Sequence, residues 1–170
     1  GAIARNPALG LRGIRYSLNN QIIFLNQIKA ILRAAHYGNV KIMLPMITTL
    51  SEVEHAKNLI KKAKEELSSK RNNFSDCVDI GIMIEVPSSA VNASQFAKHV
   101  DFFSIGTNDL VQYALAIDRV NDEVNYLYDP FNSAVLQLIH NVIKAGKKYN
   151  IPVSLCGEMA GDINFTRLYR

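Results

Sequence analysis

The sequence predicts an α/β fold built from parallel strands, in the form of an incomplete (β/α)8 barrel with about four strands. Short apolar runs alternate with amphipathic helical stretches along the chain. The run at 80–86 has almost no polar member, which is typical of a parallel strand covered on both faces. Polar residues follow the ends of three such runs, where barrel enzymes place their sites, and the chain contains no glycine-rich phosphate loop of a doubly wound sheet.

Four segments have the composition of strands, and amphipathic helices separate them. The predicted strands cover about 40–45, 80–86, 102–106 and 153–156. The predicted helices cover about 21–36, 51–67, 107–119 and 133–148, with a further helix opening at 87–89. Because right-handed crossovers connect such strands, each is expected to run parallel to its neighbours.

Two helices have particular sequence signals. The helix at 21–36 has apolar residues at helical spacing from Ile22 onward, and Gly38 follows as a stop. The next helix is predicted to begin with a capping box formed by Ser51 and Glu54.

Length and composition indicate one globular domain. The 170 residues are 48% hydrophobic, and the net charge is +4. No apolar run reaches the roughly 18 residues of a membrane span, and no secretory signal is visible, so we expect a cytoplasmic protein without a membrane partner. The basic residues are not interleaved with aromatic ones, so no nucleic-acid partner is expected. The two cysteines, Cys77 and Cys156, are expected to be reduced.

Two carboxylates occupy matching positions at the ends of successive strands. Glu85 closes the run at 80–86, and Asp109 follows the end of the run at 102–106. Such a pair of hard oxygen ligands suits Mg²⁺, with Mn²⁺ as an alternative, and water and substrate oxygens complete the shell. Asp109 can instead serve only to cap its helix.

Other polar residues near these strand ends could bind or protonate an anionic substrate. Asn108 provides a hydrogen-bond donor, and Arg119 provides a cation near the end of the predicted helix. Arg12 and Arg15 are three residues apart, as either a surface pair or a fork for an anion. Cys156 ends the last strand, and a thiol, mostly protonated at neutral pH, can donate a proton as well as attack. A small buried residue is the alternative for that cysteine.

Six segments of the chain resemble the PEP-utilising enzymes, in the order and at the spacing of that family. They are NPALGLRGIR (6–15), IMLPMI (42–47), GIMIEVPS (81–88), DFFSIGTNDLVQYALAIDR (101–119), LYDPFNSAVLQLI (127–139) and CGEMAGD (156–162). GTNDL is shared with pyruvate phosphate dikinase and PEP synthase. The QYxLAxDR and CGEMAGD motifs are most similar to the Enzyme I branch, the phosphoenolpyruvate–protein phosphotransferases of bacterial sugar transport.

The resemblance implies a role for each candidate residue. Glu85 and Asp109 match Mg²⁺ ligands, and Asn108, Arg119 and Arg12 match residues that hold the carboxylate and phosphate of phosphoenolpyruvate (PEP). Cys156 matches the acid that protonates the enolate carbon. In the family, the phosphoryl group passes to a histidine on a separate N-terminal domain and then to the carrier protein HPr, which feeds sugar uptake.

The sequence also departs from the family pattern. No phosphoacceptor histidine motif is present, so residues 1–170 are expected to form part of a PEP-binding barrel domain without the phosphohistidine domain. The isolated chain is therefore expected to be inactive. The alternatives to a part of a phosphotransferase are a non-catalytic interaction or dimer-forming fragment and a piece of pyruvate phosphate dikinase or PEP synthase.

A homodimer is expected for two reasons. The family associates through this domain, and an incomplete barrel should leave apolar side chains without an opposite half to pack against. The side chains expected to be left in this way are those of Ile42, Leu44, Ile82, Ile84 and Phe103.

Overall fold

The computed structural model describes residues 5–161 and divides the chain into two compact units, residues 1–80 and 81–170. The described residues contain four strands separated by helices, which confirms the predicted α/β class.

The first unit contains three helices and one short strand. They are α1 (Ile14–Asn19), α2 (Gln21–Ala34), β1 (Ile42–Leu44) and α3 (Leu50–Ser69), preceded by a 3₁₀ turn at Pro7–Leu9. Helices α2 and α3 pack against each other through apolar stripes. The stripe of α2 contains Phe24, Ile28 and Leu32, whereas Ile22, expected to belong to it, is 80% exposed.

The helix α3 begins two residues earlier than the predicted capping box, so the assignment of Ser51 and Glu54 was wrong. Thr49 is the N-cap, and its side chain accepts a hydrogen bond from the backbone N–H of Glu52 at 3.4 Å. The Glu52 carboxylate in turn accepts from the Thr49 N–H at 2.8 Å. The pair Ser51 and Glu54 and the pair Thr49 and Glu52 both have the spacing of a capping box, but in the structure Thr49 and Glu52 form it.

The second unit alternates strands and helices. Its elements are β2 (Ile80–Ile84), α4 (Pro87–Val91), α5 (Ala93–Phe96), β3 (Phe102–Gly106), α6 (Thr107–Leu115), α7 (Ser133–Tyr149) and β4 (Val153–Cys156). Short 3₁₀ turns lie at Asn125–Leu127 and Glu158–Gly161. Strand β3 pairs in parallel with β2 on one side and with β4 on the other.

The register of these three strands separates an apolar face from a polar one. Side chains alternate along a strand, so Ile82, Ile84, Phe103 and Ile105 lie on one face, and all four are fully buried. The opposite face contains Met83, Glu85, Ser104, Ser154 and Cys156 in the same register.

The expectation of unpacked apolar side chains was therefore wrong. Ile82, Ile84 and Phe103 are 0% exposed, and Ile42 and Leu44 of the first unit are also buried. These apolar side chains are already buried in the single chain, so they give no support to the predicted dimer.

Candidate functional site

The register of β2, β3 and β4 brings two predicted site residues, Glu85 and Cys156, level with the end of β3. Ile84 pairs with Ile105, so the next residue, Glu85, lies beside Gly106, and Gly106 pairs with Cys156. Glu85 and Cys156 therefore flank the end of β3 on the same face of the sheet. Because the carboxyl ends of parallel strands meet at one edge, the residues that follow β3 enter the same region.

Glu85 is a buried carboxylate that packs closely against the end of β3. It is 4% exposed. A Cβ placed on Gly106 would lie 2.9 Å from its Oε2 and 3.0 Å from Sδ of Met83. Glycine at position 106 thus gives the carboxylate the room that any other residue would occupy.

Asp109 lies in the first turn of α6, three residues after Gly106. Both sequence-predicted carboxylates are thus attached to the end of β3, one by packing and one along the chain. Residues 5–161 contain no group of three or more histidine, cysteine or acidic side chains arranged for a metal. The two carboxylates fit Mg²⁺, which is usually bound by one or two carboxylates together with water and substrate oxygens.

Cys156 is held at both its side chain and its backbone. Its Sγ lies 2.7 Å from Oγ of Ser104, and its carbonyl accepts a hydrogen bond from Oγ1 of Thr107 at 2.8 Å. Ser104 and Thr107 are both buried, whereas Cys156 is partly exposed. Cys77, by contrast, is exposed and lies in the first unit.

The turn that follows Cys156, the last residue of β4, lies against Asn108. Gly157 has a φ of +100°, and a Cβ there would lie 2.6 Å from Oγ1 of Thr107. The backbone N–H of Glu158 donates to Oδ1 of Asn108 at 3.4 Å. The amide oxygen of Asn108 therefore orders the loop, which leaves its NH₂ group as the part that can donate to an anionic ligand.

Arg119 lies beyond α6, contrary to the prediction of a helix reaching that residue. The helix ends at Leu115 because Ala116 adopts a left-handed conformation, with φ 55° and ψ 42°. The side chain of Gln112 then accepts a hydrogen bond from the backbone N–H of Arg119 at 3.1 Å. The exposed arginine is thus positioned by a loop anchored to α6, and Gln112, which sequence reasoning did not single out, is its anchor.

Tyr128 is a second residue of the site that the sequence analysis missed. Partial burial raises its pKa, and the negative charge of Glu158 raises it further. Arg119 lowers the pKa of this phenol, and Asp109 raises it. Tyr128 therefore interacts electrostatically with two predicted site residues, Arg119 and Asp109. Its place in the 127–139 segment was the sequence signal that could have identified it.

Arg12 lies in the first unit, shortly before α1. Its backbone N–H donates to the carbonyl of Gly10 at 3.1 Å, and its own carbonyl accepts from Arg15 at 3.2 Å. The guanidinium of Arg15 donates to the carbonyls of Leu9 and Gly10 at 3.2 and 3.3 Å. The side chain of Arg15 thus braces its own loop.

Residues 2–170 match the family model described as "PEP-utilising enzyme, PEP-binding domain". The chain belongs to this family. The phosphoenolpyruvate-protein phosphotransferase of Bacillus subtilis (strain 168) is 54% identical over 92% of the chain. The enzyme of the same name from Priestia megaterium is 53% identical over 92%.

The chain spans only 28% and 27% of the length of those two relatives. Their names therefore describe longer proteins, and their identity to this chain supports the predicted resemblance to the phosphotransferase branch.

Among solved structures, a citrate lyase from Burkholderia xenovorans LB400 has a similar fold. The TM-score is 0.58 at 19% sequence identity, and the match covers 77% of this chain and 40% of that one. This likeness concerns the fold alone and supports the predicted barrel-type α/β architecture. In residues 5–161, the helices are too short or too polar to cross a membrane.

Proposed function

We propose that this chain provides the PEP site of a phosphoenolpyruvate–protein phosphotransferase. The observation that carries the proposal is the register that places Glu85, the end of β3 and Cys156 side by side. Family membership supports PEP as the ligand, and the relatives at 50–54% identity support the phosphotransferase over a dikinase or synthase.

In the proposed site, charged and polar groups surround the two ends of PEP. Glu85 and Asp109 would hold Mg²⁺, or Mn²⁺ in its place, which would supply neutralisation of the charge that develops on the phosphoryl group and the enolate. Arg119 and the NH₂ group of Asn108 bind the carboxylate and phosphate oxygens.

Cys156 completes the reaction as a general acid. The phosphoryl group leaves for a histidine on a separate domain, and the remaining enolate needs a proton on its terminal carbon to become pyruvate. The thiol supplies that proton, and the hydrogen bond from Thr107 to the Cys156 carbonyl fixes the backbone that carries it.

The phosphohistidine domain then passes the group to HPr, in a cytoplasmic pathway that serves sugar uptake. A polypeptide limited to residues 1–170 contains no phosphoacceptor motif. We therefore expect that it does not complete the transfer. From the family resemblance, we also expect that the full protein acts as a homodimer.

The test is carried out in the full protein that carries this chain. Glu85→Gln and Asp109→Asn should each lower kcat/KM for pyruvate formation from PEP by about 10²-fold or more, because each removes a charged group from the metal. Glu123→Gln is the matched control, since Glu123 is an exposed acid of the same unit. Equal activity of all three variants would overturn the metal assignment.

A second measurement identifies the acceptor. Transfer of labelled phosphate from PEP to HPr through the full protein supports a phosphotransferase. Formation of labelled ATP from AMP with phosphate, or from AMP with pyrophosphate, and no label on HPr, would assign the chain to the synthase or the dikinase, respectively.

A further inference from the structure

The hydroxyl of Ser104 is a buried polar group on the site face of β3. Ser104 is 3% exposed, and its Oγ lies 2.7 Å from Sγ of Cys156. Its in-register partner on β4 is Ser154, so the hydroxyl reaches diagonally to the residue two positions farther along the same face.

The direction of this hydrogen bond follows from what each group needs. Within residues 5–161, the sulfur of Cys156 is the only hydrogen-bond partner of the Ser104 hydroxyl. A buried hydroxyl that does not donate loses a strong hydrogen bond, whereas a thiol is a weak donor and loses little. The arrangement in which Ser104 donates to sulfur is therefore the favourable one.

We propose that Ser104 is a positioning residue for Cys156, donating a hydrogen bond to Sγ so that the S–H proton points to the bound ligand. The inference rests on the proposed role of Cys156 as the acid that forms pyruvate. Thr107 holds the Cys156 backbone from the other end, so the thiol has both its position and its proton direction fixed.

The hydrogen bond also stabilises the product of the proton transfer. The S–H bond breaks as a C–H bond forms at the terminal carbon of the enolate, and the enolate electron pair becomes that bond while the oxygen regains its carbonyl. The S–H electron pair stays on sulfur as a thiolate. A hydrogen bond donated to a charged group is stronger than one to a neutral group, so the Ser104 contact strengthens as the charge develops.

The experiment compares Ser104→Ala with Ser154→Ala in the full protein. Both remove one hydroxyl from the same face of the sheet, but Ser154 is exposed and is not the residue bonded to Cys156. Iodoacetamide alkylation is followed by mass spectrometry as a function of pH, with the exposed Cys77 of the same molecule as an internal reference.

We expect Ser104→Ala to lower the rate of alkylation at Cys156 about tenfold, because the sulfur loses a donated hydrogen bond, with no change of the rate at Cys77. Ser154→Ala should leave both values unchanged. In the PEP reaction, Ser104→Ala should lower kcat about tenfold with little change in KM, because the hydroxyl contacts the acid and not the substrate.

Ser104→Thr keeps the hydroxyl and should retain the wild-type alkylation profile. This variant separates loss of the hydroxyl from a general disturbance of the fold at position 104. An unchanged profile in Ser104→Ala, or an equal loss of rate in Ser104→Thr, would overturn the inference. Alkylation requires no PEP, so this result is independent of the proposed function. That function fails instead if Cys156→Ala still forms pyruvate.

Discussion

Replacement of Gly106 by alanine is expected to disturb the edge of the sheet at Glu85 without straining the backbone. Gly106 has a φ of −82°, which other residues adopt readily. The added Cβ would lie 2.9 Å from Cβ and Oε2 of Glu85 and 3.0 Å from Sδ of Met83. Nonbonded carbon atoms pack at about 3.5–4.0 Å, so the Glu85 side chain must retreat by roughly 0.6–1.1 Å.

This displacement should affect both stability and activity. Overpacking of a tight site typically costs about 1–3 kcal/mol of unfolding free energy. A shift of about 1 Å in a reacting group can lower a rate by about 10²-fold, so we expect a loss of roughly tenfold in pyruvate formation.

The assay combines urea unfolding with pyruvate formation over a series of Mg²⁺ concentrations in the full protein. Gly38→Ala is the matched control, because a Cβ at Gly38 would meet nothing within 4 Å. If Gly106→Ala matched this control in stability and in Mg²⁺ dependence, the close approach of Glu85 to β3 would have no functional meaning.

Three further predictions follow from single side chains. Cys156→Ala should block pyruvate formation while Cys77→Ala should not, and equal loss in both would refute the assignment of the acid. Tyr128→Phe should make stability in urea less sensitive to pH above about 10. The folded state raises the pKa of this phenol, so its contribution to stability is complete below the pKa of the unfolded state and is lost as pH rises through the pKa of the folded state. An unchanged pH dependence would contradict this. Gly157→Ala should cost about 1–3 kcal/mol of unfolding free energy, since its φ is +100° and its Cβ would meet Thr107; wild-type stability in urea would show that the turn tolerates a side chain.

The strand ends could be predicted from the sequence because their signals are local. Glu85 interrupts an apolar run just before Pro87, and Cys156 ends the last strand just before Gly157. The rule that parallel strands end at a common edge then brings the two together. The register shows both of them flanking Gly106.

The end of α6 could not be predicted in this way. Ala116 is a strong helix former, and the helical pattern continues to Ile117, so local propensity favours a longer helix. In the structure, Ile117 is buried and its backbone N–H donates to the carbonyl of Gln112, which favours the left-handed turn at Ala116. Tertiary packing therefore determines where Arg119 lies.

The contact between Ser104 and Cys156 was also beyond the sequence. The two residues are 52 positions apart, and the contact depends on the pairing register of β3 and β4. A shift of that register by one residue would turn Cys156 to the apolar face. Only the folded sheet shows which serine of the site face reaches the thiol.

The most direct test of the central claim is a crystal structure of the full protein with PEP and Mn²⁺, with the metal located by its anomalous scattering. We expect one peak contacted by carboxylate oxygens of both Glu85 and Asp109, at the distances of a first coordination shell, with a PEP oxygen completing it. A metal bound elsewhere, or a peak contacted by neither carboxylate, would show that these two residues are not the metal ligands.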